Sequence, residues 1–302
     1  MMQGDFMKVE GSYTALVTPF RDGTVDEDAL KNLIEMQLKG GIDGLVPCGS
    51  TGEASTLSYE EHERVIELTV QCAGGKVPVI AGTGSNSTKE TIELTEIAKK
   101  LGADMALLVA PYYIRPSQEG LYHHFKKVAE DVDLPLVLYN IPGRTGVNML
   151  PDLVARLAQI PNIVAIKEAA GSVQQVADIF RLTKGEFSIL SGDDNMFLPM
   201  MSVGARGVIS VVTNMLPQKM KDLGKAYMEE KDMQKAFSLH QEMMPLFSGL
   251  FVETNPVPVK EALYFMGLME REVRLPLFEL SQQNREFIKG LVNQYGLLAR
   301  DK

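Results

Sequence analysis

The most reactive residue type in this sequence is a lysine that closes an apolar run. Lys167 ends Ile163-Val164-Ala165-Ile166-Lys167 and is the only lysine at the end of a predicted strand. Strand alternation puts Ile163, Ala165 and Lys167 on one face, with Val164 and Ile166 on the other. An ammonium held among apolar walls loses hydration, so its pKa falls, and the free amine can attack a carbonyl to form a Schiff base. The structural alternative is a lysine that reaches solvent or pairs with Glu168. Tyr139 ends the preceding run, Pro135–Tyr139, and a phenol beside the amine can move protons while a carbinolamine forms and dehydrates. Thr51, with Ser50, extends this to a hydroxyl relay, Thr51–Tyr139–Tyr113. Gly49 and Gly52 flank that turn and let its backbone N–H groups approach a carboxylate. Arg144 follows Pro142-Gly143, where a guanidinium on a turn can take a further carboxylate bidentately.

Other chemistries lack their residues. His62, His123, His124 and His240 form no metal-ligand spacing, so no metal is expected. Gly82-x-Gly84 lacks the third glycine of a dinucleotide loop. The late loops carry Asp193-Asp194 and, apart from Arg206, no basic residue before Lys219, which disfavours a phosphorylated substrate or flavin. Lys and Arg number 30 against 39 Asp and Glu, a net charge of −9 that argues against nucleic acid or an anionic membrane as partner. Cys48 and Cys72 make no disulfide framework. No apolar run approaches the roughly 18 residues of a membrane span, and Met1 to Gly11 lacks an apolar leader core. The expectation is a soluble cytoplasmic protein.

The elements that must carry these residues repeat. Apolar, β-branched runs occur at Tyr13–Thr18, Asp43–Cys48, Val77–Ala81, Met105–Ala110, Pro135–Tyr139, Ile163–Lys167, Phe187–Ser191 and Gly207–Val212. Their spacing of roughly 20 to 35 residues is that of βα units, and continuous apolar character fits parallel strands buried on both faces. Ser58 with Glu61, Ser87 with Glu90 and Ser172 with Gln175 have capping-box spacing before amphipathic stretches. Eight units over residues 1–230 predict an α/β fold, a (β/α)8 barrel, whose chemistry sits at the C-terminal strand ends. A doubly wound sheet is the rival, but no nucleotide-binding loop follows Val17-Thr18. Residues 231–302 read as a helical C-terminal domain. Its stripe through Met233, Phe237, Met243, Met244, Leu263, Met266 and Met269 packs on the barrel or on a neighbouring subunit.

Gly49-x-x-Gly52-Glu53, Pro111-Tyr112-Tyr113, Tyr139-Asn140-x-Pro142 and Lys167-Glu168-Ala169 resemble the dihydrodipicolinate synthase / N-acetylneuraminate lyase family. The resemblance runs from Gly11-Ser12-Tyr13-Thr14-Ala15 to Asn255-Pro256-x-Pro258-Val259-Lys260. It implies a TIM barrel with a helical C-terminal domain, a homotetramer built as a dimer of dimers, and a Schiff base between Lys167 and pyruvate with no other cofactor. Asn140-Ile141-Pro142-Gly143-Arg144-Thr145-Gly146 looks like the synthase branch, in which Arg144 receives the carboxylate of L-aspartate 4-semialdehyde. Lys167-Glu168-Ala169-Ala170-Gly171 and Ser191-Gly192-Asp193-Asp194 look like the same branch, whereas Ser50 is the lyase form of a position that is usually Thr in synthases. By the same resemblance, Ser50 and Thr51 bind the pyruvate carboxylate and Ile209 offers a carbonyl near the Schiff base. Gly192 lines the substrate site, and Tyr113 enters from a neighbouring subunit. Lysine-inhibited members bind L-lysine at a dimer interface, where Ala54, His62, Asn86, Glu90 and Tyr112 correspond, although Tyr59 stands where the sensitive bacterial type has His. The alternatives are a pyruvate-dependent lyase of a sugar acid (N-acetylneuraminate or a 2-keto-3-deoxy acid), and a catalytically silent barrel acting as a sensor.

Overall fold

Every one of the eight apolar runs forms a strand in the computed structural model, which describes residues 8–299. They are β1 (Gly11–Ala15), β2 (Gly44–Val46), β3 (Ile80–Gly82), β4 (Met105–Val109), β5 (Leu136–Asn140), β6 (Ile163–Glu168), β7 (Ser188–Ser191) and β8 (Gly207–Ser210). Strand order in the sheet is β2-β1-β8-β7-β6-β5-β4-β3. A parallel bridge between Leu45 of β2 and Val79, just ahead of β3, joins the two ends of that order. The sheet is therefore a (β/α)8 barrel, and closure leaves no strand edge unpaired. A short antiparallel pair, Phe20–Arg21 with Thr24–Val25, was not expected, although its Asp22-Gly23 turn has positive φ at both residues, as a tight hairpin requires. Among the described residues no helix is long and apolar enough to cross a membrane. Most of the first eleven residues, in which no leader was read, lie outside the described residues.

The chain divides into two compact units. One contains Ile80–Ile209 together with the described residues up to Gly11. Its core lies between the outward faces of the strands and their helices. Leu108, Leu138, Ile166 and Ile189 meet Leu121 and Phe125 of the helix Gln118–Asp131, Leu153 of Pro151–Leu157, and Val176 and Ile179 of Val173–Leu182. Each such fully buried side chain contributes about 1.5–3 kcal/mol. One expectation fails here. Leu136 pairs with Ile163 but Val137 pairs with Ala165, so Val164 is an extra residue in β6. This bulge turns Ile163 into the helix-facing core beside Ile166, and only Ala165 remains on the face of Lys167.

The other unit contains Ser12–Val79 and the chain from Ser210 onward. The helices Met233–Gly249, Val257–Phe265 and Gln282–Gln294 lie in this unit with β2 and, from Ser12 on, β1. Met243, Leu263 and Met269 of the apolar stripe are buried, while Met233 and Phe237 stand exposed. Of the three anticipated capping boxes only Ser58–Glu61 is reciprocal. Ser87 and Ser172 each accept from the expected backbone N–H, but the Glu90 carboxylate takes the Ser85 hydroxyl and the Gln175 amide turns to Glu168.

Candidate active site

β5 and β6 place Tyr139 directly opposite Lys167 in register. Both side chains therefore leave the sheet on the same face, and Lys167 Nζ lies 4.3 Å from the centre of the Tyr139 ring. Lys167 is only 7% exposed. Burial lowers its pKa from 10.5 to about 8, against the pull of Asp193 and Asp194 and with the help of the Arg144 guanidinium. Its stem fills the space in front of Gly192. A Cβ at that position would stand 3.1 Å from Lys167 Cε, 3.2 Å from Cγ and 2.7 Å from Ala169 Cβ. A side chain at position 192 would therefore force Ala169 to shift and crowd the Lys167 stem.

The alternative pairing of Lys167 with Glu168 does not occur, because consecutive strand residues face opposite ways. Glu168 is fully buried and accepts from Asn140 Nδ2, from Gln175 Nε2 at 3.0 Å and from the Ala170 N–H at 2.7 Å. Asn148 accepts from Asn140 and exchanges hydrogen bonds with Gln175, so four polar side chains lock β5 to β6 behind the Tyr139–Lys167 pair. Burial pushes the Glu168 carboxyl upward while these donors oppose it. Sequence reasoning gave no role to Asn148 and gave Gln175 only that of a helix cap. The signal was present in three amide side chains beside one carboxylate, yet spacing alone does not assemble them.

Arg144 is exposed on a single helical turn, Pro142–Thr145. Thr145 O accepts from the Tyr113 N–H at 3.3 Å, so the loops bearing Arg144 and Tyr113 are tied together. Tyr113 is 86% exposed at φ +74°, a left-handed conformation that a bulky residue adopts only when its surroundings hold it. Ile209 is fully buried in β8.

Ser50 and Thr51 lie in the turn after β2. Thr51 is buried and Ser50 half-buried, and among the described residues no protein acceptor takes the backbone N–H of either. That leaves two donors for an anion. Gly52 is needed for internal packing, since a Cβ there would stand 3.0 Å from Cys48 N and 3.1 Å from Leu16 O, whereas Gly49 faces open space. Two groups of the helix-rich segment reach this turn without having been foreseen. Asn255 Nδ2 donates to Thr51 Oγ1 at 2.9 Å, and Lys260 Nζ meets Glu53 Oε1 at 2.5 Å with both side chains fully buried. A lysine inside the apolar run Val257-Pro258-Val259-Lys260 was the available signal.

The residues assigned to lysine binding are distributed over both units. His62 is buried on the helix Tyr59–Ala73, Asn86 and Glu90 are half-buried, and Tyr112 is exposed.

Residues 8–295 match the model of the dihydrodipicolinate synthetase family. The chain is 54% identical over 289 residues to a 4-hydroxy-tetrahydrodipicolinate synthase of Syntrophus aciditrophicus, covering 96% of this chain and 99% of that one. The crystal structure of dihydrodipicolinate synthase from Aquifex aeolicus matches with a TM-score of 0.95 at 47% identity, over 97% of this chain and 100% of that one. The Acinetobacter baumannii dihydrodipicolinate synthase complexed with pyruvate matches with a TM-score of 0.94 at 47% identity, over 96% and 100% of the two chains. With its barrel, its register-paired lysine and tyrosine, and this agreement over nearly its whole length, the chain belongs to the dihydrodipicolinate synthetase family.

Proposed function

We propose that this chain condenses pyruvate with L-aspartate 4-semialdehyde to 4-hydroxy-tetrahydrodipicolinate, the entry to lysine and diaminopimelate synthesis. The observation that carries the reading is the buried Lys167, whose pKa of about 8 and position against Tyr139 suit an amine nucleophile.

Lys167 Nζ attacks the ketone carbon of pyruvate. The carbinolamine loses water as protons pass along the Thr51–Tyr139–Tyr113 hydroxyls, which leaves an iminium. The pyruvate carboxylate lies on the Ser50 and Thr51 N–H groups, with Gly192 and the Ile209 carbonyl nearby. Loss of a methyl proton gives the enamine, whose carbon attacks the aldehyde of the semialdehyde while Arg144 holds the second carboxylate. The semialdehyde's own amine then displaces Lys167 by transimination and closes the ring. The covalent Schiff base serves in place of any metal or organic cofactor.

In this reading residues 1–230 are the catalytic barrel, 231–302 are the helical domain, and the working form is a cytoplasmic homotetramer. L-lysine inhibits through His62, Asn86, Glu90 and Tyr112, and rates unchanged by millimolar L-lysine exclude that part. The central test pairs borohydride trapping with turnover. Pyruvate is trapped on the parent chain and not on Lys167→Arg. Arg144→Ala keeps the adduct while losing use of the semialdehyde. Turnover of N-acetylneuraminate instead of the condensation assigns the sugar-acid lyase, and no adduct at all assigns the silent barrel.

A further inference from the structure

The hydroxyl of Thr51 is held by a residue far along the chain. Asn255 stands two positions before the helix Val257–Phe265, and its Nδ2 donates to Thr51 Oγ1 at 2.9 Å with both side chains buried. The same helix anchors the turn a second time through the buried Lys260–Glu53 pair. Glu53 Oε2 also accepts from the Arg274 N–H at 3.2 Å, and Glu53 itself has φ +54°. On the other side Thr18 Oγ1 donates to Gly52 O at 2.7 Å. The turn is therefore fixed residue by residue at Thr51, Gly52 and Glu53, and Thr51 is the only one of the three whose side-chain hydroxyl can move a proton.

A hydroxyl has one hydrogen to donate and two lone pairs to accept with. Once Asn255 occupies a lone pair of Thr51 Oγ1, the hydroxyl hydrogen is directed to another acceptor. We infer that Asn255 is a positioning residue, which sets the Thr51 hydroxyl as a donor toward the reaction and makes the helical C-terminal segment part of the catalytic apparatus. This rests on the reading of Thr51 as a relay hydroxyl. Asn255 itself touches no reacting atom; it acts through Thr51.

A double-mutant cycle tests it, with kcat and the pyruvate KM measured for Asn255→Ala, Thr51→Val and the double variant. Asn255→Ala is expected to lower kcat about 10- to 100-fold while the pyruvate KM changes less than about threefold. In the Thr51→Val background the same substitution is expected to cost less than about twofold, because the hydroxyl it serves is gone. Equal losses in the two backgrounds overturn the inference, and so does an unchanged kcat in the single variant. Asn255→Asp serves if the alanine variant does not fold. It is close in size but cannot donate when ionised, so it too must lose kcat only where Thr51 is present. Failure of both variants to fold makes Asn255 purely structural and also overturns the inference. Borohydride trapping on the parent chain separates the two layers: no pyruvate adduct there sinks the proposed function, whereas a normal adduct with additive losses sinks only the role of Asn255.

Discussion

In the proposed mechanism Lys167 can act as the nucleophile because the chain withholds water from it. Asp193 and Asp194 favour its charged form, but they do not restore what burial removes. With a pKa of about 8 instead of 10.5, about a tenth of the side chain is free amine at pH 7, roughly 300-fold more than for an ordinary lysine. The rate of pyruvate adduct formation should therefore climb about tenfold per pH unit up to about pH 8 and flatten above it. Rapid-mixing measurements from pH 6 to 10 check this, and a rate that keeps climbing to pH 10 contradicts it. The same burial costs stability. Below about pH 8 the folded chain holds a proton on a group it disfavours, while the unfolded chain holds it freely up to about 10.5. The penalty is full at low pH and fades as pH rises from 8 toward 10.5. Lys167→Met should thus abolish turnover and raise stability at pH 7 by about 1–3 kcal/mol. Thermal or urea melts at pH 7 and pH 10 measure it, with a smaller gain expected at pH 10.

At the scale of elements, the strands were legible because parallel strands buried on both faces need apolar residues at every position. Their ends were less so. Apolar character continues past the last ladder bond, as at Ser210, where β8 stops although Val211 and Val212 follow. The bulge at Val164 was hidden because one inserted residue changes no composition, only which way Ile163 faces. The placement of Lys167 and Tyr139 at strand ends and of Arg144 on a turn could be read locally. Asn255 and Thr51 lie 204 residues apart, and nothing local links them. Gly192 is the clearest case of an element serving a residue. Its strand end passes so close to Lys167 that an added methyl group must move the lysine stem or Ala169. Gly192→Ala is expected to lower adduct formation by tenfold or more and to cost about 1–3 kcal/mol of stability. A fully active, equally stable Gly192→Ala chain would mean that β7 can shift away at little cost.

For the whole molecule, the least economical feature is Tyr113. A bulky aromatic at φ +74° and 86% exposure gains little from its own chain, and Tyr112 and Ile114 beside it are exposed as well. Exposed apolar side chains held in a fixed conformation suit burial against a second copy. If Tyr113 completes the relay of a neighbouring subunit, each site draws on two chains. Mixing then gives a sharp expectation. Tyr113→Phe subunits keep Lys167 but offer no phenol, and Lys167→Arg subunits keep the phenol but have no nucleophile. Each homo-oligomer should be almost inactive. A random mixture of dimers contains about half hybrids, and in each hybrid one of the two sites regains both groups, so activity should recover to about a quarter of the parent level. Dissociating and reassociating the two variants together, then measuring turnover, tests this directly. If Tyr113 serves its own chain, no mixture can restore a site, and activity stays at the level of the separate variants. Recovery would also establish that a barrel carrying its own lysine is incomplete alone, so dilution below the dimer dissociation constant should extinguish turnover without unfolding the chain.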